Sequence, residues 1–398
     1  MSEKEKTRIL IVGGGFGGVK AALDLCERRD VQITLLSDHS HFRYYPGLYH
    51  TATGGNRAGA RIHLNKILED RPIKFVRGTA TKLDRKNQHI VTQEGQKLTY
   101  DILILAIGNV TNYFDIKGLA DHAYGIKSSE EAERFKKHLH DQLIKDGCPD
   151  PNYVIAGAGP TGIELAGALP GYLRDIMKKH GLKDCELNIK LVEAAPHLLP
   201  HAPEDISRTV AKRLEHLGIT LMLGKPVEGL TADTLTVGGK PIQSQTVIWT
   251  AGVTNHPFFK SNGFTIADHG KVAVDEYLQA EQNVFVIGDN ANTEYSGLAQ
   301  TALYDAEFVA KNISRTLEGK MPESYVPKKP IIVIPVGPRW ASVEWGRAHY
   351  SGFIGWILRQ LADFLAFNDL ESWTKATGQW FTGMEDDDLD CPGCKPKT

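Results

Sequence analysis

The sequence predicts an α/β fold built on two parallel-sheet units, and three observations predict it. The first is the opening stretch RILIVGGGFGG at residues 8–18. Its apolar run at 9–12 is short, β-branched and bounded by glycines, which reads as a buried parallel strand. Gly13-x-Gly15-x-x-Gly18 follows, and then an amphipathic helix over residues 17–27. The second observation is the same arrangement again: an apolar strand at 153–156, the triplet Gly157-x-Gly159-x-x-Gly162, and a helix over 161–178. The third is a set of buried strands that each close on a glycine, at 100–108, 246–252 and 283–288.

A strand–turn–helix with this triplet is the setting in which backbone binds a dinucleotide, a Rossmann-like unit. Gly13 permits the tight turn. Gly15 lets the backbone approach a pyrophosphate, and Gly18 lets the helix pack close to the strand. The helix start then offers unpaired N–H groups and a partial positive charge to phosphates. A single triplet is weak evidence; two in their full context are much stronger.

Composition bounds the rest. A chain of 398 residues exceeds one ordinary core, so two or three domains are expected. A formal net charge of −2 gives no electrostatic case for nucleic acid as a partner. Residues 1–6 are charged and lack the apolar core of a signal peptide. No run reaches the roughly 18 apolar residues of a membrane span. Cys26, Cys148, Cys185, Cys391 and Cys394 do not form a secreted disulfide framework. A cytoplasmic location and no metal are therefore expected.

Taken in order, the second strand spans 31–36. The ribose-binding acid belongs at its end. Ser37 stands there and can bond a ribose hydroxyl as a neutral group; Asp38, one position on, is the candidate carboxylate. The aromatic loop HSHFRYYPGLYHTATGG at 39–55 reads as a wall beside a planar ring system. Strands follow at 72–81 and 88–92, with a hairpin turn at Glu94-Gly95. The strand at 100–109 ends in Ala106-Ile107-Gly108, a turn where backbone can approach a ligand. A helix at 128–145 opens on a Ser-Ser-Glu-Glu cap.

In the second unit the strand at 186–192 ends in Glu193. Its carboxylate suits the 2′- and 3′-hydroxyls of an adenosine ribose and repels a 2′-phosphate, which favours NAD over NADP. A helix at 205–217, a strand at 219–223 and a ribbon strand at 231–237 come next. The strand at 246–251 leads through Ala251 to Gly252. The strand at 283–287 leads to Gly288-Asp289, which can present a carboxylate to a ribityl hydroxyl. A helix over 298–317 could face the N1–O2 edge of a flavin, which gains negative charge on reduction.

The ordered set GGGFGG, AIG, GAGPTG, Glu193, TAG, GD and AQTA resembles the two-dinucleotide-binding flavoprotein superfamily over residues 8–315. GPTGIELAG, LVEAAPHLLP, VIWTAGV and AQTA most resemble type II NADH:quinone oxidoreductases. The resemblance implies FAD on the first unit, NADH on the second, and quinone on the far side of the flavin. It assigns Gly13, Gly15, Phe16, Gly17, Gly18, Ser37, Ala106, Gly108, Gly288 and Asp289 to FAD, with Ala80, Gln300 and Thr301 as further contacts. It assigns Gly159, Thr161, Gly162, Ile163, Glu164 and Glu193 to the nicotinamide side, with Glu164 near the flavin–nicotinamide stack, and Gly157, Ala251 and Gly252 are further expected cofactor contacts. Glu164, Gln300 and Tyr304 are the expected catalytic residues. Where the family carries AQxAxQ, this chain has Tyr304 in place of the second Gln. Tyr304 can still donate to a quinone oxygen. The alternatives are a sulfide:quinone reductase, another FAD-dependent NAD(P)H reductase with a protein, thiol or small-molecule acceptor, and an NADH redox sensor.

The expected organisation is a discontinuous FAD-binding domain, 7–116 and 245–325, with an NAD(H)-binding domain, 117–244, inserted in it. A smaller C-terminal region, 326–385, carries an amphipathic helix at 352–367, and 386–398 form an acidic tail with Cys391-Pro-Gly-Cys394. That helix has a wide apolar face (Phe353, Ile354, Ile357, Leu358, Leu361, Phe364, Leu365). Its narrow polar face is Arg359, Gln360 and Asp363. It is too short and polar to span a membrane and suited to lie in the interface. A peripheral position on the inner face of the cell membrane and a homodimer are expected.

Overall fold

The computed structural model describes residues 6–56, 60–182, 185–200 and 202–368. The acidic tail with Cys391 and Cys394 lies outside the described residues.

The first sheet has six strands in the order Gln279–Glu281, Val284–Val286, Ile102–Leu105, Thr7–Val12, Val31–Ser37 and Ile73–Arg77. All pairs are parallel except the edge pair Gln279–Glu281 with Val284–Val286. Thr7–Val12 lies inside it, and Ile9, Leu10, Ile11 and Val12 are all buried, as expected of a strand covered on both faces. Helices Phe16–Leu25 and Ala299–Leu317 cover one face through Val19, Ala22, Ala306 and Val309. Each fully buried aliphatic side chain there contributes roughly 1.5–3 kcal/mol over exposure.

The second sheet has four parallel strands, in the order Ile219–Met222, Ile189–Val192, Tyr153–Ala156 and Thr246–Trp249. Its core forms between the strands and helices Ser129–Asp146, Pro160–Lys179 and Glu204–His216. One boundary differs from expectation. Thr246–Trp249, expected in the first domain from residue 245, pairs with Tyr153–Ala156 in the second sheet. The strand is buried along its whole length, and Tyr124 extends it, donating to the Val247 oxygen and accepting from Trp249, both at 2.8 Å. An apolar strand cannot reveal which of two parallel sheets it completes.

The two units are linked by an antiparallel pair, Asn109–Thr111 with Val253–Asn255. A C-terminal antiparallel sheet (Ile332–Pro335, Ala341–Trp345, Ala348–Gly352) leads into helix Phe353–Asn368. The helix packs tightly on that sheet: a Cβ at Gly355 would lie 2.1 Å from the Ala341 oxygen.

Candidate active site

The two glycine triplets have the same construction. A Cβ at Gly13 would lie 2.1 Å from the Ala106 oxygen, and one at Gly18 would lie 1.9 Å from the Gly13 oxygen. In the second unit a Cβ at Gly157 would meet Ala251 backbone at 2.6 Å, and one at Gly162 the Gly157 oxygen at 1.9 Å. The middle glycines differ from these: among the described residues a Cβ at Gly15 or Gly159 would meet no atom within 4 Å. Each cradle therefore closes on itself at its outer glycines and stays open at the middle one. Both helices start at that open glycine, with no side chain capping the start. Helix Ser129–Asp146 is the contrast, since Ser128 caps it by accepting from Glu131 N at 3.0 Å. Open cradles with unpaired N–H groups fit the phosphates of a dinucleotide.

The residues around the first cradle sort by depth. Ser37 is buried, with its Oγ 2.6 Å from a Cβ placed at Gly14, and it accepts from His39 N at 3.3 Å. Asp38 is exposed and pairs with His39 Nε2 at 3.1 Å. Of the two ribose candidates, Ser37 is the one against the turn. Phe16 is buried edge-on to Phe42, and a Cβ at Gly17 would touch Ile287 at 3.1 Å. Ala80 packs beside the cluster that holds Leu36.

Glu193 is held by backbone on both oxygens. Oε2 accepts from Ala158 N at 2.8 Å and Oε1 from Ala195 N at 2.9 Å. Ile163 is fully buried, whereas Thr161 and Ala251 are exposed. A cavity of about 110 Å³ joins the units: Thr161, Trp249 and Gly252 meet Tyr45 and Leu48 of the aromatic loop, with Lys127 beside them. Tyr45 and Leu48 thus supply part of the expected wall. Phe42 and Tyr44 are buried instead, which anchors the loop.

The Gly-Asp turn is clamped by side chains that sequence patterns did not single out. Gly288 N donates to Asp305 Oδ2 at 2.9 Å, and Asp305 Oδ1 accepts from Tyr325 at 2.5 Å. Burial pushes the Asp305 carboxyl up to about 6. Asn290 is fully buried; it donates to the Gly108 oxygen and to Asn255 Oδ1, both at 2.7 Å, and accepts from Gly108 N at 2.9 Å. Asn109 donates to Asp289 Oδ2 at 2.6 Å and accepts from Lys127 Nζ. Burial raises Asp289, and Lys127 and Lys271 pull it back. Burial also brings Lys127 down to about 8. Asn109 and Asn290 each lie next to a residue of the recognised Gly108 and Gly288-Asp289 turns, the one signal that could have found them. Helix Ala299–Leu317 again starts without a side-chain cap, and Thr301 Oγ1 donates to the Tyr295 oxygen at 2.8 Å.

Glu164 is buried within its helix, and burial pushes its carboxyl up to about 8, partly offset by Arg359. Arg359 comes from the C-terminal helix and is itself buried. It donates to the Pro46 oxygen at 3.1 Å and pairs with Asp363 at 3.1 Å. Tyr44 donates to the same Asp363. Burial alone would lower Arg359; the Asp363 carboxylate beside it is the main group that more than offsets this. A helix lying in an interface would turn its polar stripe to water. Here the stripe turns inward, because its charges find partners on the body, and Phe353, Ile354, Ile357, Leu361 and Leu365 are left exposed.

Gln300 and Tyr304 face the segment that leads to the C-terminal sheet. Gln300 Oε1 accepts from Ile331 N at 2.6 Å, and Lys328 Nζ sits 5.1 Å from the Tyr304 ring centre. The described cysteines, Cys26, Cys148 and Cys185, are unpaired. Among the described residues no group of three or more His, Cys, Asp or Glu could hold a metal, and no helix is long and apolar enough to cross a membrane.

Two glycine cradles of the same open construction, one on each parallel-sheet unit, define a two-dinucleotide oxidoreductase fold. The chain belongs to the pyridine nucleotide-disulphide oxidoreductase family, whose pattern matches residues 7–306. It is 29% identical to the type II NADH:quinone oxidoreductase Ndh of Mycobacterium tuberculosis over 92% of this chain and 87% of that one. It is 27% identical to a type II NADH:quinone oxidoreductase of Staphylococcus aureus over 81% and 85%. The fold is shared with NDH2 of Plasmodium falciparum, solved in complex with NADH, at a TM-score of 0.84 and 18% identity, covering 95% of this chain and 97% of that one. It is also shared with the sulfide:quinone oxidoreductase of Aquifex aeolicus, at a TM-score of 0.78 and 21% identity, covering 98% and 100%. The expected α/β fold and family both hold.

Proposed function

We infer that the chain is an FAD-dependent NADH:quinone oxidoreductase that does not pump protons. The observation that carries this reading is the pair of open glycine cradles, one on each unit, with Thr161 of the second lining the cavity between the units. FAD held there would supply the chemistry of hydride acceptance from NADH and electron delivery to a quinone. The residues around it bind, orient and hold protons. Gly13, Gly15 and the start of helix Phe16–Leu25 hold the FAD pyrophosphate, and Ser37 its ribose. Gly157, Gly159 and Glu193 hold NADH. Asp289 takes the ribityl chain, and the unpaired N–H groups of helix Ala299–Leu317 favour the charge gained on reduction. Glu164 keeps a proton at its carboxyl near neutral pH, on the nicotinamide side of the flavin. Gln300 and Tyr304 border the quinone side.

The domain division follows the sheets: residues 7–116 and the part after Trp249 hold FAD, and the stretch through Trp249 holds NADH. The exposed face of helix Phe353–Asn368 lies on a lipid surface, continued by Trp345 and Tyr350, both exposed. Aromatic residues beside an apolar helix face suit the headgroup level. This face supports a peripheral position, which we take to be on the inner face of the cell membrane. The expected homodimer either covers this face or leaves it open, and sedimentation with and without detergent distinguishes the two.

The test is anaerobic stopped-flow of the flavin-loaded protein, mixed with NADH and then with a short-chain quinone. Rapid bleaching and rapid recovery of the flavin band are expected. Bleaching without recovery moves the acceptor away from quinone, and bleaching by sulfide in place of NADH overturns the reading.

A further inference from the structure

We propose that Lys127 sets the electron affinity of the bound flavin, through the Asn109 side chain that joins it to Asp289. The inference rests on the FAD reading of this site. The three residues come from three places. Lys127 ends the segment that enters the second unit, Asn109 begins the strand that links the units, and Asp289 belongs to the Gly-Asp turn of the first. Asn109 accepts from Lys127 Nζ and donates to Asp289 Oδ2 at 2.6 Å. This orientation of the amide is the one that satisfies both charges.

The charges are thereby coupled without forming a direct pair. An ammonium has three donors, and Asn109 takes one, so two are left for what fills the cavity. Among the described residues lining that cavity, Lys127 alone is a cation, beside Thr111, Thr161 and Thr250. Lys271 also acts on Asp289, but it does not line that cavity, and its Nζ donates to the Ser296 oxygen at 3.0 Å. Glu131 accepts from Lys127 N at 2.6 Å, and Arg43 is the other charge that acts on the ammonium. Asp305 faces Asp289 from helix Ala299–Leu317.

The need for such a cation follows from electrostatics. A carboxylate suits the ribityl hydroxyls, but its charge opposes reduction of the flavin, which gains negative charge. In a half-buried site this opposition is far stronger than in water. Lys127 offsets Asp289 from the cavity it lines and leaves the carboxylate in place for the sugar chain.

The experiment is a reductive titration of the flavin-loaded protein with a chemical reductant and a reference dye. It uses neither NADH nor quinone, so failure of the acceptor reading leaves it unaffected. Lys127→Met is expected to lower the reduced-to-oxidised flavin ratio at a given potential on the order of tenfold, about 30 mV for a two-electron couple. Lys127→Arg is expected to keep the wild-type potential, and Asn109→Leu to shift it in the same direction as Lys127→Met. An unchanged potential in Lys127→Met overturns the proposal, even where turnover falls. If that variant retains no flavin, Lys127→Gln and Asn109→Leu carry the same test, and unchanged potentials in both overturn it equally.

Discussion

Arg359 donates to the carbonyl oxygen of Pro46 at 3.1 Å and ties the C-terminal helix to the aromatic loop 313 positions earlier. The same guanidinium pairs with Asp363 at 3.1 Å. Removing one member of a buried pair strands the other, at about 3–5 kcal/mol. Arg359→Leu is therefore expected to destabilise the fold by about that much. The double variant Arg359→Leu/Asp363→Leu should lose less than Arg359→Leu alone. Urea unfolding followed by fluorescence checks both, and a double variant less stable than the single one would contradict the pairing.

The outer face of that helix makes a separate prediction. Ile357 and Leu361 are exposed on a surface without charge partners on the body. Ile357→Asp/Leu361→Asp should abolish co-sedimentation with anionic lipid vesicles, since each charge is costly in the apolar boundary. Flavin content should stay at the wild-type level. Unchanged vesicle binding would assign the face to another role.

The open middle glycines separate the two cofactors. Among the described residues nothing opposes a Cβ at Gly15 or Gly159. Gly15→Ala should weaken FAD binding by at least about tenfold, or ~1.4 kcal/mol, at unchanged stability of the flavin-free protein. Gly159→Ala should raise the dissociation constant for NADH by a similar factor with flavin fully retained. Flavin release and spectral titration with NADH measure the pair.

Glu164 links stability to pH. Its carboxyl is pushed up to about 8 in the folded chain by burial, against about 4.3 when unfolded. Between those values the folded state binds a proton that the unfolded state releases. Stability therefore falls as pH rises through this window. Glu164→Gln should flatten the decline between about pH 5 and about pH 8. Thermal melts across that range decide it; parallel slopes in the two proteins would remove Glu164 as the cause.

Much of the first and second units was legible because their signals are local. A β-branched run followed by a glycine triplet determines strand, turn and helix within a few residues. The helix predicted at 161–178 appears as Pro160–Lys179, and the one predicted at 128–145 as Ser129–Asp146. The clamp residues were not legible. Asn290 reaches Gly108 across 182 positions, and no spacing rule links them. Thr246–Trp249 carried the right strand signal and was assigned to the wrong sheet, because its apolar pattern suits either one.

The sequence by itself determined the α/β class, the two cradles, the residues that shape them and the family to which the chain belongs. These depend on backbone conformations that only particular residues adopt at adjacent positions. Only the tertiary structure decided which way the C-terminal helix faces, and which charges meet at Asn109 and at Asp363. Amphipathic spacing gives a helix two faces but does not say which one meets the body. That choice depended on whether Arg359 and Asp363 could find buried partners, and those partners come from Tyr44 and Pro46 at the far end of the chain.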